Sequence, residues 1–163
     1  MNIILIILEG IFMCFWLLMI CILLIRNGPV GGVVFYEPEV QERVTELDLI
    51  TKEEIRKRSV ISAIALFLPL FTIVPFFVYV VNGANGFRDA FAQMTAILLI
   101  MGTFDRLFID WYWVGHTKAW IIPGTEDLQP YIPKKTLIKK WLGTYLGFPI
   151  LAALITGVIE LLS

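Results

Sequence analysis

The strongest candidate for chemistry in this sequence is a group of ionisable side chains at the end of an apolar segment. Asp105 and Arg106 directly follow an apolar run, and two further ionisable residues, Asp110 and His116, come soon after. Ionisable groups at the edge of a low-dielectric region usually face a helix bundle or a water-filled cavity, where they bind a charged head group, a proton or a cation. We therefore treat these four residues as a candidate binding or proton-handling site.

The same residues also have a purely structural interpretation. Arg106 and Asp110 are four apart and can form a stabilising ion pair on a helix, while Asp105 caps a neighbouring helix. His116 is the only histidine, and histidine is the side chain best suited to proton transfer near neutral pH. If the helix continues past Gly115, His116 shares a face with Asp105. If the helix ends there, His116 only sits at the membrane interface.

A second candidate is Glu9, which has apolar residues on both sides in the first long apolar segment. A buried carboxylate can load and release a proton or a cation, as the coupling group of a transporter does. Two alternatives remain open. Glu9 can pair with Arg88, or it can reach outward to water and have no function.

Several kinds of chemistry lack support. A metal site needs three or four convergent ligands, and the residues near the candidate site that could supply them, Asp105, Asp110, His116, Glu126 and Asp127, show no recognised ligand spacing. The sequence has no glycine-rich phosphate loop, nucleophile elbow or paired-cysteine redox motif. We therefore predict no metal and no cofactor, and the sequence leaves open whether the protein is an enzyme.

Membrane helices are the elements that must hold these residues in place. The chain has 163 residues, 58% of them hydrophobic, and a mean hydropathy of +0.81, which is too apolar for an ordinary soluble domain. A formal net charge of −1 gives no reason to expect nucleic acid as a partner. We predict an all-α, polytopic membrane protein that forms a single integral membrane domain over residues 1–163.

Four apolar segments are each long enough to cross a bilayer, which takes about 20 residues of helix. The predicted spans cover residues 2–25, 60–81, 89–110 and 141–162. Thr51 followed by Glu54 is a capping-box pattern, which predicts that a helix begins before the second span. Pro69 and Pro75 should kink that span, because each removes a backbone hydrogen bond.

The first large loop is predicted to contain an amphipathic helix at the membrane interface. Pro38 suits the first position of a helix, and Val40, Val44 and Leu47 follow at spacings of four and three. Charged residues occupy the positions between them. We expect this helix to lie on the membrane surface with its apolar face toward the lipid.

The distribution of basic residues predicts the orientation. The segments between spans one and two and between spans three and four carry nearly all of them, namely Arg26, Arg43, Lys52, Arg56, Lys57 and Arg58, and Lys118, Lys134, Lys135, Lys139 and Lys140. The remaining connection offers only Arg88. By the positive-inside rule, both large loops face the cytoplasm and both termini lie outside the cell membrane.

The fourth span carries small residues at helix-packing spacing. Gly143 and Gly147 are four apart, as are Ala153 and Gly157, and such pairs let two helix backbones approach closely. The partner can be another span of the same chain, a second copy in a homo-oligomer, or a different membrane protein. The sequence favours none of these over the others.

We expect membrane lipids as partners of the chain. Three functions are compatible with these observations. The first is transport of a small solute, ion or proton, with Glu9, Gln93 and Asp105 facing a common cavity. The second is a non-catalytic subunit or scaffold that binds a partner through the small residues of the fourth span. The third is a membrane-embedded enzyme or lipid-binding protein with a site at the cytoplasmic face, which requires a cleft open to the inner leaflet.

Overall fold

The computed structural model describes residues 2–162, and that part of the chain contains four helices long and apolar enough to cross a membrane. We label the long helices α1 (Ile3–Ile25), α3 (Lys52–Val81), α4 (Phe87–Val114) and α5 (Lys134–Leu162), and the short helix in the first loop α2 (Pro38–Glu46). Short 3-10 turns lie at Pro29–Phe35, Lys118–Trp120 and Glu126–Leu128. Between residues 2 and 162 there is no strand. The prediction of an all-helical chain with four apolar helices of membrane-spanning length is confirmed.

Three of the long helices pass from α to π geometry along their length. The π segments are Phe76–Val81 in α3, Asp105–Val114 in α4 and Gly143–Gly147 in α5. The helices also extend beyond the predicted spans. Charged turns continue α3 and α5 toward their N-termini, and an aromatic turn at residues 111–114 continues α4 toward its C-terminus. π-Helical segments are rare and often occur at functional sites. The longest of the three contains Asp105, Arg106 and Asp110.

The start of α3 follows the predicted capping pattern. The Oγ1 atom of Thr51 accepts a hydrogen bond from the backbone N–H of Glu54 at 3.2 Å. This bond satisfies one of the N–H groups that have no partner in the first turn of a helix. The side chain of Glu54 forms an ion pair with Arg58, one turn further along.

Removing this cap should have a modest effect on stability. We expect Thr51→Ala to lower the free energy of unfolding by about 1 kcal/mol, the usual cost of losing an N-cap hydroxyl. Thr51→Ser keeps the oxygen and should stay within experimental error of the wild type. Unfolding by sodium dodecyl sulfate in mixed micelles, followed by circular dichroism, measures both variants. Equal decreases in the free energy of unfolding for Thr51→Ala and Thr51→Ser would show that the hydroxyl cap does not stabilise the helix at this position.

α3 continues through Pro69, which is buried. Proline has no N–H, so the carbonyl of Ala65, four residues earlier, lacks its usual helical partner. The indole N–H of Trp16 in α1 donates to this carbonyl at 3.0 Å. A neighbouring helix therefore satisfies the group that the proline leaves free, as membrane helices with internal prolines require.

α4 lies at the centre of the bundle, between α1 and α5. Its backbone approaches α1 where Gly10 faces Ile100, and it approaches α5 where Gly102 faces Phe148 and Thr144. In both places a Cβ atom on the glycine would come within 3 Å of these side chains. These two glycines, rather than those of the fourth span, make the close helix contacts within the chain.

The small residues of the fourth span have more free space beside them than Gly10 of α1 and Gly102 of α4. A Cβ added at Gly143 or Gly147 would meet no heavy atom within 4 Å in the described part of the chain, and one at Gly157 would meet only Phe87, at 3.9 Å. Ala153 is half-buried. Gly143 and Gly147 therefore leave open a place for a helix from outside the chain, and whether one binds there is still a prediction.

The two large connections pack against each other beside one end of the bundle, which we call the charged end. The rings of Tyr36 and Tyr131 stack with centroids 4.5 Å apart, and the hydroxyl of Tyr36 donates to the carbonyl of Trp120 at 3.2 Å. α2 forms as predicted, and its residues Val40 and Val44 are buried within the chain. The apolar face that was expected to contact lipid is thus largely covered by the protein itself.

Candidate functional site

A cavity of about 290 Å³ lies at the charged end, enclosed by α1, α3, α4, α5 and both large connections. Of the candidate site residues, Asp105, Arg106 and Asp110 line it. All three lie in the π segment of α4. The structure therefore brings together three of the five residues that were singled out from the sequence.

The charged side chains of the cavity form one network across two helices. Nη1 of Arg106 lies 2.8 Å from Oδ2 of Asp110, which confirms the predicted pairing. Arg106 also contacts the carboxylate of its neighbour Asp105. Nζ of Lys140 in α5 donates to Oδ1 of Asp110 at 2.8 Å. Arg106 and Asp110 are 9% and 5% exposed at their side chains, and buried charges of this kind are tolerated only when they are paired and hydrogen-bonded.

Two N–H donors of the cavity lining have no partner. Nε of Arg106 and Nε1 of Trp120 are buried without a hydrogen bond to any of the described residues. Trp120 is 1% exposed, and its ring packs edge-on against Trp113. A buried donor without an acceptor costs about 1–3 kcal/mol, so both groups point to an acceptor that the chain itself does not provide.

The remaining lining is apolar and largely aromatic. Trp16 from α1, Phe67 from α3 and Phe148 from α5 contribute side chains, together with Tyr36 from the first connection. Phe67 is exposed on the surface of the bundle, and Trp16 is half-buried. Because Phe67 is exposed and also lines the cavity, we place the mouth of the cavity beside Phe67, on the apolar surface of α3.

Tyr36 contributes a neutral polar group at the same place. Burial raises the pKa of its phenol well above the ordinary value of a tyrosine, and the nearby Tyr131 adds to this shift. The hydroxyl stays protonated and donates to the carbonyl of Trp120. It therefore positions Trp120 and adds no charge to the cavity.

His116 and Glu9 lie outside the cavity. His116 is exposed, and its Nδ1 atom is 2.5 Å from the carbonyl oxygen of Trp111. Glu9 is buried near the other end of the bundle, where its Oε2 atom accepts a hydrogen bond from Nδ2 of Asn82 at 2.9 Å. Asn82, rather than Arg88, is thus the hydrogen-bond partner that the structure gives to Glu9.

Lys140, Trp120 and Tyr36 are site residues that sequence reasoning did not single out. They lie on segments far from residues 105–110 in the sequence, and only the folded chain brings them together. Lys140 gave no signal beyond its contribution to the basic residues of its loop. Trp120 lies ten residues after the third predicted span, and tryptophans near span ends are commonly interface anchors, so its residue type did not indicate a binding site.

No protein-family model matches this chain, and neither curated proteins nor solved structures give a match.

Proposed function

We propose that this protein binds an amphipathic membrane molecule in the cavity, with the polar end of the molecule at the Arg106 network and its apolar part among the aromatic side chains. One observation carries the proposal. An apolar cavity inside a bundle of four apolar helices ends at buried charges and unpartnered donors. Ligand sites commonly combine apolar walls with a few polar groups of this kind.

The position of the mouth supports a ligand that arrives from the membrane. The exposed Phe67 and the half-buried Trp16 line the cavity from two helices whose outer faces are apolar. A lipid-like molecule can therefore enter sideways, beside Phe67 on the apolar surface of α3, without crossing water. We further propose that the charged end faces the cytoplasm, because the basic residues concentrate in the two connections there.

Of the two other functions, transport fits the geometry less well, whereas a scaffold does not conflict with a bound ligand. Transport requires a polar path, but the buried Glu9 and Gln93 lie away from the cavity that Asp105 lines. A scaffold that uses Gly143 and Gly147 is compatible with a bound ligand, and the open space beside both glycines favours it. A catalytic step also remains a hypothesis, with Asp105 as the acid or base candidate in the cavity and His116 outside it.

Native mass spectrometry of the protein in detergent tests the proposal. The wild type should retain a lipid-sized molecule. Leu17→Trp should lose it, because Leu17 lines the cavity and the larger ring fills it. Leu154→Trp is the matched control, since Leu154 is exposed on α5, and it should retain the molecule. Circular dichroism confirms that both variants are folded.

Two results would contradict the proposal. One is a wild-type protein without any retained molecule after gentle extraction. The other is equal retention by the two tryptophan variants, which would place the bound lipid on the outer surface of the bundle and not in the cavity.

A further inference from the structure

The charges that line the cavity balance one another. The lining contains two acidic side chains, Asp105 and Asp110, and two basic ones, Arg106 and Lys140. Each of the four has a partner of opposite charge in the network. An anionic head group would have to displace a carboxylate from Arg106 or Lys140, and a cationic one would have to displace a basic side chain. Either exchange breaks a buried ion pair, which is strongly destabilising.

Three buried polar atoms of the lining lack a hydrogen bond to any described residue, and one of them is an acceptor, Oδ2 of Asp110. This oxygen lies 2.8 Å from Nη1 of Arg106 as an ion pair, so the two atoms that belong to neither a hydrogen bond nor an ion pair are donors. Nε of Arg106 and Nε1 of Trp120 each present an N–H without an acceptor among residues 2–162. Tyr36 uses its proton on the carbonyl of Trp120. A ligand that complements this set brings acceptor oxygens and no net charge, and carbonyl oxygens meet both conditions.

The size of the cavity indicates how much of the ligand it holds. A volume of about 290 Å³ lies just below the range for small-molecule sites, about 300–1,000 Å³. It accommodates a polar head and the first part of an apolar chain. The rest of a lipid-sized molecule must leave through the mouth beside Phe67, where the surrounding surface is apolar.

We infer that the ligand is an uncharged lipid whose head carries carbonyl acceptors for Arg106 Nε–H and Trp120 Nε1–H. This inference rests on the proposed function and narrows it to one class of ligand. Two sources in membranes share this chemistry, neutral ester lipids such as diacylglycerol and lipid quinones. Phospholipids with a net anionic head lie outside it.

Binding of defined lipids to the purified full-length protein in detergent tests the inference. The probes are dioleoylglycerol, a short-chain ubiquinone and dioleoyl phosphatidic acid, which has the same acyl chains as the first but an anionic head. At least one neutral probe should bind more tightly than phosphatidic acid. The result also tells which of the two neutral sources the site prefers.

Trp120→Phe tests the role of the indole donor, because it keeps an aromatic ring and removes the N–H. It should weaken binding of the neutral probe about fivefold, the effect of one lost hydrogen bond. Trp111→Phe is the matched control, since Trp111 is exposed and does not line the cavity, and it should bind as the wild type does. If Trp120→Phe unfolds, protection of wild-type Trp120 from oxidation by the neutral probe replaces the comparison.

The outcomes separate this inference from the proposed function. Tighter binding of phosphatidic acid, or no effect of Trp120→Phe and no protection of Trp120, overturns the inference and leaves a lipid-binding protein in place. Absence of binding for all three probes, with a lipid still retained in native mass spectra, also overturns the inference alone. If none of the three probes binds and no lipid is retained in native mass spectra, the inference and the proposed function are both overturned.

Discussion

Asp110→Asn should lower the free energy of unfolding by about 3–5 kcal/mol, the usual result of breaking a buried ion pair from one side. The carboxylate of Asp110 lies between Nη1 of Arg106 and Nζ of Lys140, at 2.8 Å from each. Asparagine keeps the shape of the side chain but not its charge, so two basic groups lose a shared partner. Asp105 still compensates Arg106, and Lys140 is left without its carboxylate.

The matched control is Asp127→Asn. Asp127 pairs with Arg43 at 3.3 Å, but its side chain is 62% exposed, and exposed pairs contribute only about 0.2–1 kcal/mol. Titration of both variants with sodium dodecyl sulfate in mixed micelles gives the two free energies. Similar small losses at both positions would show that water reaches the Arg106 network and that the cavity is not a low-dielectric site.

Gly102→Leu should be the second strongly destabilising change, with a loss of about 3 kcal/mol, at the upper end of the usual cost of overpacking. A Cβ atom at this position would come 2.5 Å from Cε2 of Phe148 and 2.7 Å from Cγ2 of Thr144. Both contacts belong to α5, so a larger side chain pushes α4 and α5 apart. Because Phe148 also lines the cavity, ligand retention should fall as well.

Gly143→Leu provides the comparison within the same pair of helices. Gly143 has open space where the new side chain would go, so we expect little change in the stability of the monomer. Its effect on self-association, measured by analytical ultracentrifugation in detergent, tests whether a second copy packs there. A loss of monomer stability equal to that of Gly102→Leu would contradict the helix packing described above.

The order of neighbouring residues in the sequence was sufficient to predict the helices. Apolar length marked the four spans, and the Thr51–Glu54 pair marked where α3 begins, because both signals depend on neighbouring residues alone. The Arg106–Asp110 pair was predictable for the same reason, since residues four apart meet on any helix. The apolar face of α2 was also visible, although what covers it was not.

The cavity and its other residues could not be predicted, because they depend on contacts between distant segments. Lys140 reaches Asp110 across 30 positions in the sequence, and Trp16 compensates Pro69 through a carbonyl on another helix. The small-residue spacing of the fourth span was a genuine pattern. However, the glycines at the close contacts between long helices are Gly10 and Gly102, which have no small partner at that spacing.

Photoaffinity labelling tests the central claim most directly, namely that an amphipathic molecule occupies the cavity. Dioleoylglycerol with a diazirine near its head group is incorporated with the protein into lipid nanodiscs, irradiated, and located by peptide mass spectrometry. Our account predicts labels on cavity residues such as Met101, Leu70 and Trp120, and their loss in Leu17→Trp. Labels spread over exposed residues such as Ile150 and Leu154, unchanged in Leu17→Trp, would contradict it.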